Sequence, residues 1–197
     1  MGSQMGSIGL TLINTLFNLF VFVLMLRFAL HASRADYYNP MTQGVVKATG
    51  WLVHPLQRLL RPIGRFDLAS LVAAILVKIA ALLLIFLLFA GTLPPVLNLL
   101  IAGFAGALNA LVKIYFFALI VMIILSWVAP RADHPGALLV IQVTEPIMSP
   151  LRRVIPPLGM LDLSPIVAFI LINLIDSIVV SSLVRASMLP ARVVVGY

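Results

Sequence analysis

Three ionisable side chains interrupt long apolar stretches of this sequence: Lys78, Lys113 and Asp176. A charge near the centre of a bilayer is costly unless it is paired or hydrated, so such residues usually face the interior of a helix bundle. In one interpretation these groups line a path for ions or protons, or hold a polar group of a partner span. In the other they form a structural cluster that fixes the register of the helices.

An internal repeat adds two amides to this set. The segment that begins at Pro55 returns at Pro150, so residue n of the first copy corresponds to residue n + 95 of the second, without a gap. A fixed period of this kind indicates two copies of one structural unit. Lys78 then corresponds to Asn173, and Lys113 to Asn18. We therefore predict one intramembrane polar cluster, with these members: Lys78, Lys113, Asp176, Asn18 and Asn173.

A second pattern lies in the connectors between apolar stretches. Arg58 precedes Asp67 by nine positions, and Arg153 precedes Asp162 by nine. An arginine–aspartate pair could lock the chain where it re-enters the membrane, and arginine also binds lipid phosphate. Alternatively, the repeated connectors form a cytoplasmic platform that recognises a partner. The predicted connector motif comprises Arg58, Asp67, Arg152, Arg153, Asp162 and the helix start Ser164-Pro165.

The composition decides the class of protein that must position these residues. Hydrophobic residues make up 62% of the chain and charged residues 10%, whereas a soluble domain is about half apolar and a quarter charged. A spanning helix needs about 20 apolar residues, and four stretches qualify, near residues 8–30, 68–91, 102–129 and 165–189. The sequence therefore predicts an integral membrane protein.

The fold class that follows is an all-α membrane protein with four transmembrane helices in two tandem repeats, residues 1–95 and 96–197. Each repeat is predicted as helix, interfacial connector helix, helix. The connector helices, near residues 41–60 and 137–154, carry proline and charge and are short of a span. If they crossed the membrane instead, the repeats would be inverted, and that alternative stays open. Small residues at close helical spacing, Gly103, Gly106 and Ala110, favour close helix contact within the fold or in a homo-oligomer.

The orientation follows from the basic residues. Five Lys or Arg lie in the first connector and three in the second, while residues 92–101 carry none. Basic loops usually remain on the cytoplasmic side, so we predict that both connectors are cytoplasmic.

Several function classes are excluded or disfavoured by the residues that the chain lacks. There is no cysteine, which excludes disulfides, thiol catalysis and cysteine-ligated metal. The histidines, His31, His54 and His134, lie near span ends and in connectors, whereas a haem held by two histidines needs them within spans. No nucleotide-binding or catalytic motif is present, so we predict neither enzyme activity nor a cofactor. The net charge of +7 is assigned to membrane lipids rather than nucleic acid, because the basic residues flank apolar spans.

Several short motifs resemble the YggT/YlmG family in its two-unit bacterial form. They are Asp36 with Asn39-Pro40, Ser126-Trp127, Thr144-Glu145-Pro146, Pro150-Leu151-Arg152-Arg153, Ile155-Pro156-Pro157 and Asp162-Leu163-Ser164-Pro165. Relatives in that family are linked to osmotic tolerance, to cell division and nucleoid distribution, and in plastids to assembly of b-type cytochromes. The resemblance implies a non-enzymatic scaffold or assembly factor of the bacterial inner membrane, which engages other integral membrane proteins. The alternative is a small ion-conducting or ion-coupled transport protein in osmotic homeostasis.

Overall fold

The computed structural model describes residues 2–128, 134–155 and 162–196, and the side chains from residue 8 onwards. Within these ranges the chain is helical, and no residue belongs to a β-strand. The helices are, in chain order, α1 (Gly2–Ala32), α2 (Pro40–Leu59), α3 (Leu68–Phe89), α4 (Val96–Val128), α5 (Pro135–Val154), α6 (Ser164–Leu174), α7 (Ser181–Ala186) and α8 (Ala191–Val194), and a π-helical segment, Ile175–Val180, joins α6 to α7.

Four helical stretches in the described ranges are long and apolar enough to cross a membrane: Ile8–Ala32, Leu68–Phe89, Val96–Val128 and Ser164–Ala186. The prediction of an all-α protein with four transmembrane helices is thereby confirmed. The third helix begins at Val96 rather than near residue 102, because the carbonyl of Pro95 already accepts a hydrogen bond from the Leu99 N–H at 3.1 Å. The fourth ends at Ala186, where residues 187–189 had been predicted to continue it.

The connector helices α2 and α5 recur with the offset of the sequence repeat. Each has 20 residues and begins with a proline, at Pro40 and Pro135. Proline suits the first helical position because its missing N–H would have no partner there. The preceding side chains accept hydrogen bonds from backbone N–H groups, Asn39 from Met41 at 2.9 Å and His134 from Gly136 at 3.1 Å. Both connectors therefore start with the same capping geometry, in which the capping side chain accepts from the N–H two residues later.

The interior is built around α1, α3 and α4, which pack against one another. Glycine permits the close approach of α4 to α3. A Cβ atom on Gly103 would lie 2.7 Å from Ile79 Cγ1, and one on Gly106 would lie 2.8 Å from Lys78 Cγ. These glycines thus serve a contact within the fold. The fourth span lies at the side of this core, where α6 contacts α4 and α5.

Residues 187–196, which we call the tail, fold back into the bundle after α7. The reversal occurs at Met188, whose φ of 55° lies in the left-handed region. It is held by Ser187, whose Oγ donates a 2.6 Å hydrogen bond to the Val184 carbonyl. Val193, Val194 and Val195 are 5%, 0% and 4% exposed. The tail therefore lies inside the protein rather than beside the fourth span.

Cysteine labelling tests the predicted orientation of the connectors. The chain has no cysteine, so Gln43→Cys in α2 and Thr92→Cys in the loop between α3 and α4 would each carry the sole thiol. Both positions are exposed, whereas Thr42 is buried. In intact cells a membrane-impermeant maleimide should label the thiol at position 92 and spare the thiol at position 43 until the membrane is permeabilised. Labelling at position 43 from outside intact cells would overturn the orientation.

Candidate functional site: a buried lysine and two arginine–aspartate pairs

The centre of the polar interior is Lys78, half-way along α3 and 0% exposed. Its ammonium group donates hydrogen bonds to Asn18 Oδ1 at 2.6 Å, to the Val193 carbonyl at 2.8 Å and to Asn14 Oδ1 at 3.4 Å. A lysine ammonium has three donors and no acceptor. All three donors therefore have partners inside the protein, two on α1 and one on the tail.

The two amides on α1 also hold each other and the tail. Asn18 Nδ2 donates to Asn14 Oδ1 at 3.2 Å, and Asn14 Nδ2 donates to the Arg192 carbonyl at 2.9 Å. Residues four apart share one face of a helix. One face of α1 thus binds both Lys78 and the backbone of the tail.

The second copy binds the tail from the other side. Asn109 Nδ2 and Lys113 Nζ, both on α4, donate to the Val195 carbonyl at 3.2 and 3.3 Å. Asp176, in the π-helical segment, lies within electrostatic reach of Lys113. A cavity of about 350 Å³, lined by Asn18, Asn109 and Lys113, opens between α1, α4 and the tail.

The structure places the five residues of the predicted cluster in four different situations. Lys78 and Asn18 are in direct contact, and Lys113 joins them through the tail. Asp176 interacts electrostatically with Lys113. Asn173 is exposed on α6 and donates to the Phe169 carbonyl of its own helix at 2.8 Å. Its assignment to the cluster was wrong, because α6 lies at the side of the core and turns this position outward.

Sequence reasoning missed two amides and the whole contribution of the tail. Asn14 and Asn109 correspond under the repeat offset, so they are the same residue type at the same place in both copies. That identity was a usable signal. The carbonyls of residues 192, 193 and 195 carried no such signal, because every residue has a backbone carbonyl.

In the first copy, Asp67 pairs with Arg27 of α1 and not with Arg58. Arg27 Nε lies 3.6 Å from Asp67 Oδ2, and the two side chains are 7% and 1% exposed. Ser70 Oγ donates to the same carboxylate at 2.6 Å and Gln57 Nε2 at 3.3 Å. The predicted partner, Arg58, is exposed. Gln57, one residue earlier on α2, occupies the face that approaches the carboxylate.

In the second copy, Asp162 pairs with Arg152 and not with Arg153. Arg152 Nε lies 3.0 Å from Asp162 Oδ2, and the side chains are 43% and 36% exposed. The backbone N–H of Ser164 donates to Asp162 Oδ1 at 2.9 Å, while Ser164 and Pro165 form the first turn of α6. Desolvation acts to raise the pKa of Asp162, but the hydrogen bonds from Ser164 and Arg152 outweigh it, so the pKa is lowered. Arg153 is exposed on α5.

The repeat offset shows that the two copies carry the pairing arginine at different positions. Arg152 stands where the first copy has Gln57, and Met122 stands where it has Arg27. Met122 and Arg27 nevertheless contact the same threonine of the connector helix, Thr144 in one copy and Thr49 in the other. Thr49 Oγ1 lies 3.0 Å from Arg27 Nη1, and its counterpart Thr144 Oγ1 lies 3.3 Å from Met122 Sδ. Each aspartate thus keeps one arginine, supplied by a spanning helix in one copy and by a connector in the other.

Lys78→Met tests whether the lysine anchors the tail. The variant keeps the length of the side chain but removes its donors, and the bundle no longer buries a charge. We therefore expect release of the tail without unfolding of the helices. Since a hydrogen bond to a charged group is worth about 1.5–3 kcal/mol, maleimide labelling of a Val194→Cys reporter should rise about tenfold or more. The matched variant Lys113→Met should change the labelling less. Equal protection of the reporter thiol in the parent chain, in Lys78→Met and in Lys113→Met would contradict the assignment of Lys78 as the anchor of the tail.

Double-mutant cycles test the two ion pairs. Arg27→Met, which copies residue 122, and Asp67→Asn should show a coupling energy of about 1–3 kcal/mol, as expected for contacting buried groups. The exposed pair, Arg152→Gln with Asp162→Asn, should show a coupling energy of about 0.2–1 kcal/mol. Coupling of Asp67 to Arg58, or of Asp162 to Arg153, as large as these values would restore the original pairing.

The contribution of Asp162 to stability should depend on pH. Because folding lowers the pKa of Asp162, the stabilisation by its ionised carboxylate is present at neutral pH and is lost below about pH 4.

Comparison with known proteins agrees with the internal repeat. The family model CCB3/YggT matches twice, over residues 6–88 and 101–183, and both bounds of the two matches differ by the repeat offset. The uncharacterized protein PA0392 of Pseudomonas aeruginosa is 41% identical over 182 residues, which cover 92% of each chain. YggT of Escherichia coli K12 is 33% identical over 165 residues, which cover 84% of this chain and 85% of that protein.

A plastid relative matches over a shorter length. The YlmG homolog protein 2 of Arabidopsis thaliana, a chloroplastic protein, is 40% identical over 94 residues, which cover 45% of this chain and 35% of that protein. No solved structure matches this chain significantly. The double match to the family model and the high coverage of the bacterial relatives lead to one conclusion: this chain belongs to the CCB3/YggT family.

Proposed function

We propose that this chain is a non-enzymatic scaffold or assembly factor of the bacterial inner membrane, which engages other integral membrane proteins. The observation that carries the proposal is Asn173, an exposed amide near the middle of the fourth span. A polar side chain that faces lipid at this depth is costly. The cost falls when another spanning helix supplies a hydrogen-bond partner.

The surroundings of Asn173 suit a docked helix. A shallow groove of about 500 Å³ runs along this face and is lined by Phe169, Ile170, Asn173 and Ser177 among others. Asn173 uses one N–H for the Phe169 carbonyl, and a carboxamide has hydrogen-bonding capacity beyond that bond. Apolar neighbours with a few polar groups give the surface both contact area and orientation.

The π-helical segment that follows Asn173 adds to this argument. π-Helical turns occur mostly as single insertions within α-helices and frequently at functional sites. Here the segment spans Ile175–Val180, and Ser181 Oγ donates to the Asp176 carbonyl at 3.2 Å. The groove runs along α6 and reaches this segment at Ser177, so its end lies where the backbone hydrogen bonding is irregular.

The closed interior favours a scaffold over a channel within one chain. All three donors of Lys78 have partners, and the tail lies between α1 and α4. The transport alternative is favoured by one feature, the cavity of about 350 Å³ beside Lys113. An ion that crossed there would have to displace the tail, which holds hydrogen bonds to both copies.

Site-specific photo-crosslinking tests the scaffold proposal. A photoreactive amino acid at Ile170, which is 53% exposed, should give a discrete protein adduct in native membranes. The same reagent at Leu76 on α3, which is 50% exposed, is the matched control and should label lipid. Asn173→Leu should abolish the adduct while the melting temperature of the purified chain stays unchanged or rises, because the substitution removes a polar group from the lipid face.

Three outcomes would contradict the proposal. Labelling of lipid alone at both positions would leave the groove without a protein partner. An adduct with twice the mass of the chain would identify a homo-oligomer instead. Ion uptake by vesicles that contain only this chain, lost in Asp176→Asn, would support the transport alternative.

A further inference from the structure

A further cavity, larger than the one beside Lys113, lies at the connector end of the first copy. Its volume is about 450 Å³, and it is enclosed by the end of α1, by α2 and by the turn that leads into α3. Its polar lining includes three arginines, two histidines and a threonine: Arg27, Arg34, Arg65, His31, His54 and Thr42. One carboxylate, Asp67, also lines it, and this group is already paired with Arg27. The cavity therefore carries an excess of positive charge.

The lining contains a buried hydroxyl that the fold does not use. Thr42 is 5% exposed, and its Oγ1 is one of two buried side-chain oxygens in the described ranges without a hydrogen-bond partner. Buried polar atoms are nearly always paired, so an exception calls for an explanation. A ligand oxygen in the cavity would supply the missing partner.

The arginines are positioned by unusual backbone geometry. Arg34 has a φ of 54°, in the left-handed region that a side chain other than glycine seldom adopts. Arg65 follows Gly64, whose φ is 60°, in a tight turn closed by hydrogen bonds between Ile63 and Phe66 at 3.1 and 3.0 Å. His31 Nδ1 lies 3.2 Å from the Arg65 carbonyl and ties this turn to α1.

Arg27 forms the floor of the cavity and is held in place. It is 6% exposed, and its Nη1 donates to Thr49 Oγ1 at 3.0 Å and to the Val46 carbonyl at 3.3 Å. A guanidinium whose orientation is fixed in advance loses little entropy when it binds an anion. Arginine forks match the geometry of phosphate oxygens.

The second copy shows that the fold does not require this lining. It forms the same connector helix with the same capping geometry, yet under the repeat offset none of the six polar types is kept. The residues at the corresponding positions of the sequence are Met122, Ala129, Met160, Ser126, Ser149 and Ala137. These six residues therefore belong to the sequence of the first copy alone, whereas the lining carboxylate, Asp67, is kept as Asp162. A set of polar residues that the fold does not require is typical of a binding site.

We propose that this cavity binds a phosphate group. The group can be carried by the headgroup of an acidic phospholipid or by a small soluble phosphate, and both present the same oxygens to the arginines. The cavity lies at the end of the first span, at the depth where lipid headgroups meet a spanning helix.

The experiment measures the melting temperature of the full chain in an uncharged detergent. The added ligands are inorganic phosphate, phosphatidylglycerol and, as a phosphate-free lipid, diacylglycerol. Stabilisation by inorganic phosphate would identify a soluble ligand, and stabilisation by phosphatidylglycerol alone would identify a headgroup. Either result supports the proposal, whereas no stabilisation by either phosphate source, or equal stabilisation by diacylglycerol, overturns it.

Two sets of variants locate the site. Arg34→Gln with Arg65→Gln should weaken phosphate binding about tenfold or more, since each removes a hydrogen bond to a charged group. The control pair, Arg58→Gln with Arg61→Gln, removes the same charge from exposed positions of the same connector that do not line the cavity, and it should leave the affinity within about twofold. Equal weakening by both pairs would show unspecific attraction and would overturn the site.

Thr42→Val should change two measurements in opposite directions, the melting temperature of the free protein and the stabilisation by ligand. The substitution removes an unpartnered buried hydroxyl, so the free protein should melt at a higher temperature. It also removes the donor proposed for the phosphate, so the stabilisation by ligand should fall several-fold. If Thr42→Val left the stabilisation by ligand unchanged, the hydroxyl would not face the ligand, and the proposed phosphate site would be wrong.

Discussion

The ammonium group of Lys78 is the constraint on which the interior depends. A charge in the middle of a spanning helix needs hydrogen-bond partners within the protein, because the hydrocarbon of the bilayer supplies none. Asn14 and Asn18 supply two acceptors from α1, and the Val193 carbonyl supplies the third. This requirement fixes the register of α1 against α3 and holds the tail inside the bundle. It also explains Gly106, since a Cβ atom at that position would meet the stem of the lysine at 2.8 Å.

The two copies use the same framework for different purposes. Each has a capped connector helix and an aspartate before its second span. In the first copy the aspartate is buried against an arginine of the first span, and in the second it is exposed beside an arginine of the connector. Moving the arginine from α1 to α5 changes the environment at the connector end. The first copy gains a buried cation and a cationic cavity, while at the corresponding place the second copy has methionine.

These differences divide the molecule between the two proposed activities. The first copy supplies Lys78, the central donor of the polar interior, and contains the cavity proposed to bind a phosphate group. The second copy places its last span at the side of the core, so the position that corresponds to Lys78 is the exposed Asn173. Under the two proposals, the first copy contacts a phosphate group and the second contacts a neighbouring protein within the membrane. Such a division suits a small scaffold, whose function rests on its surfaces.

The sequence by itself determined the membrane class, the four spans, the repeat and the need for partners around Lys78, because these follow from hydropathy, a constant offset and the cost of a buried charge. It did not determine which residues meet. Spans that are apolar all round carry no signal that separates a face buried in protein from a face in lipid, so Asn173 was placed inside. A shift of one residue turns a helical side chain by about 100°, so spacing did not distinguish Arg152 from Arg153. The re-entry of the tail rests on backbone carbonyls, which are common to every residue, and only the packing of α1, α3 and α4 decided where those carbonyls lie.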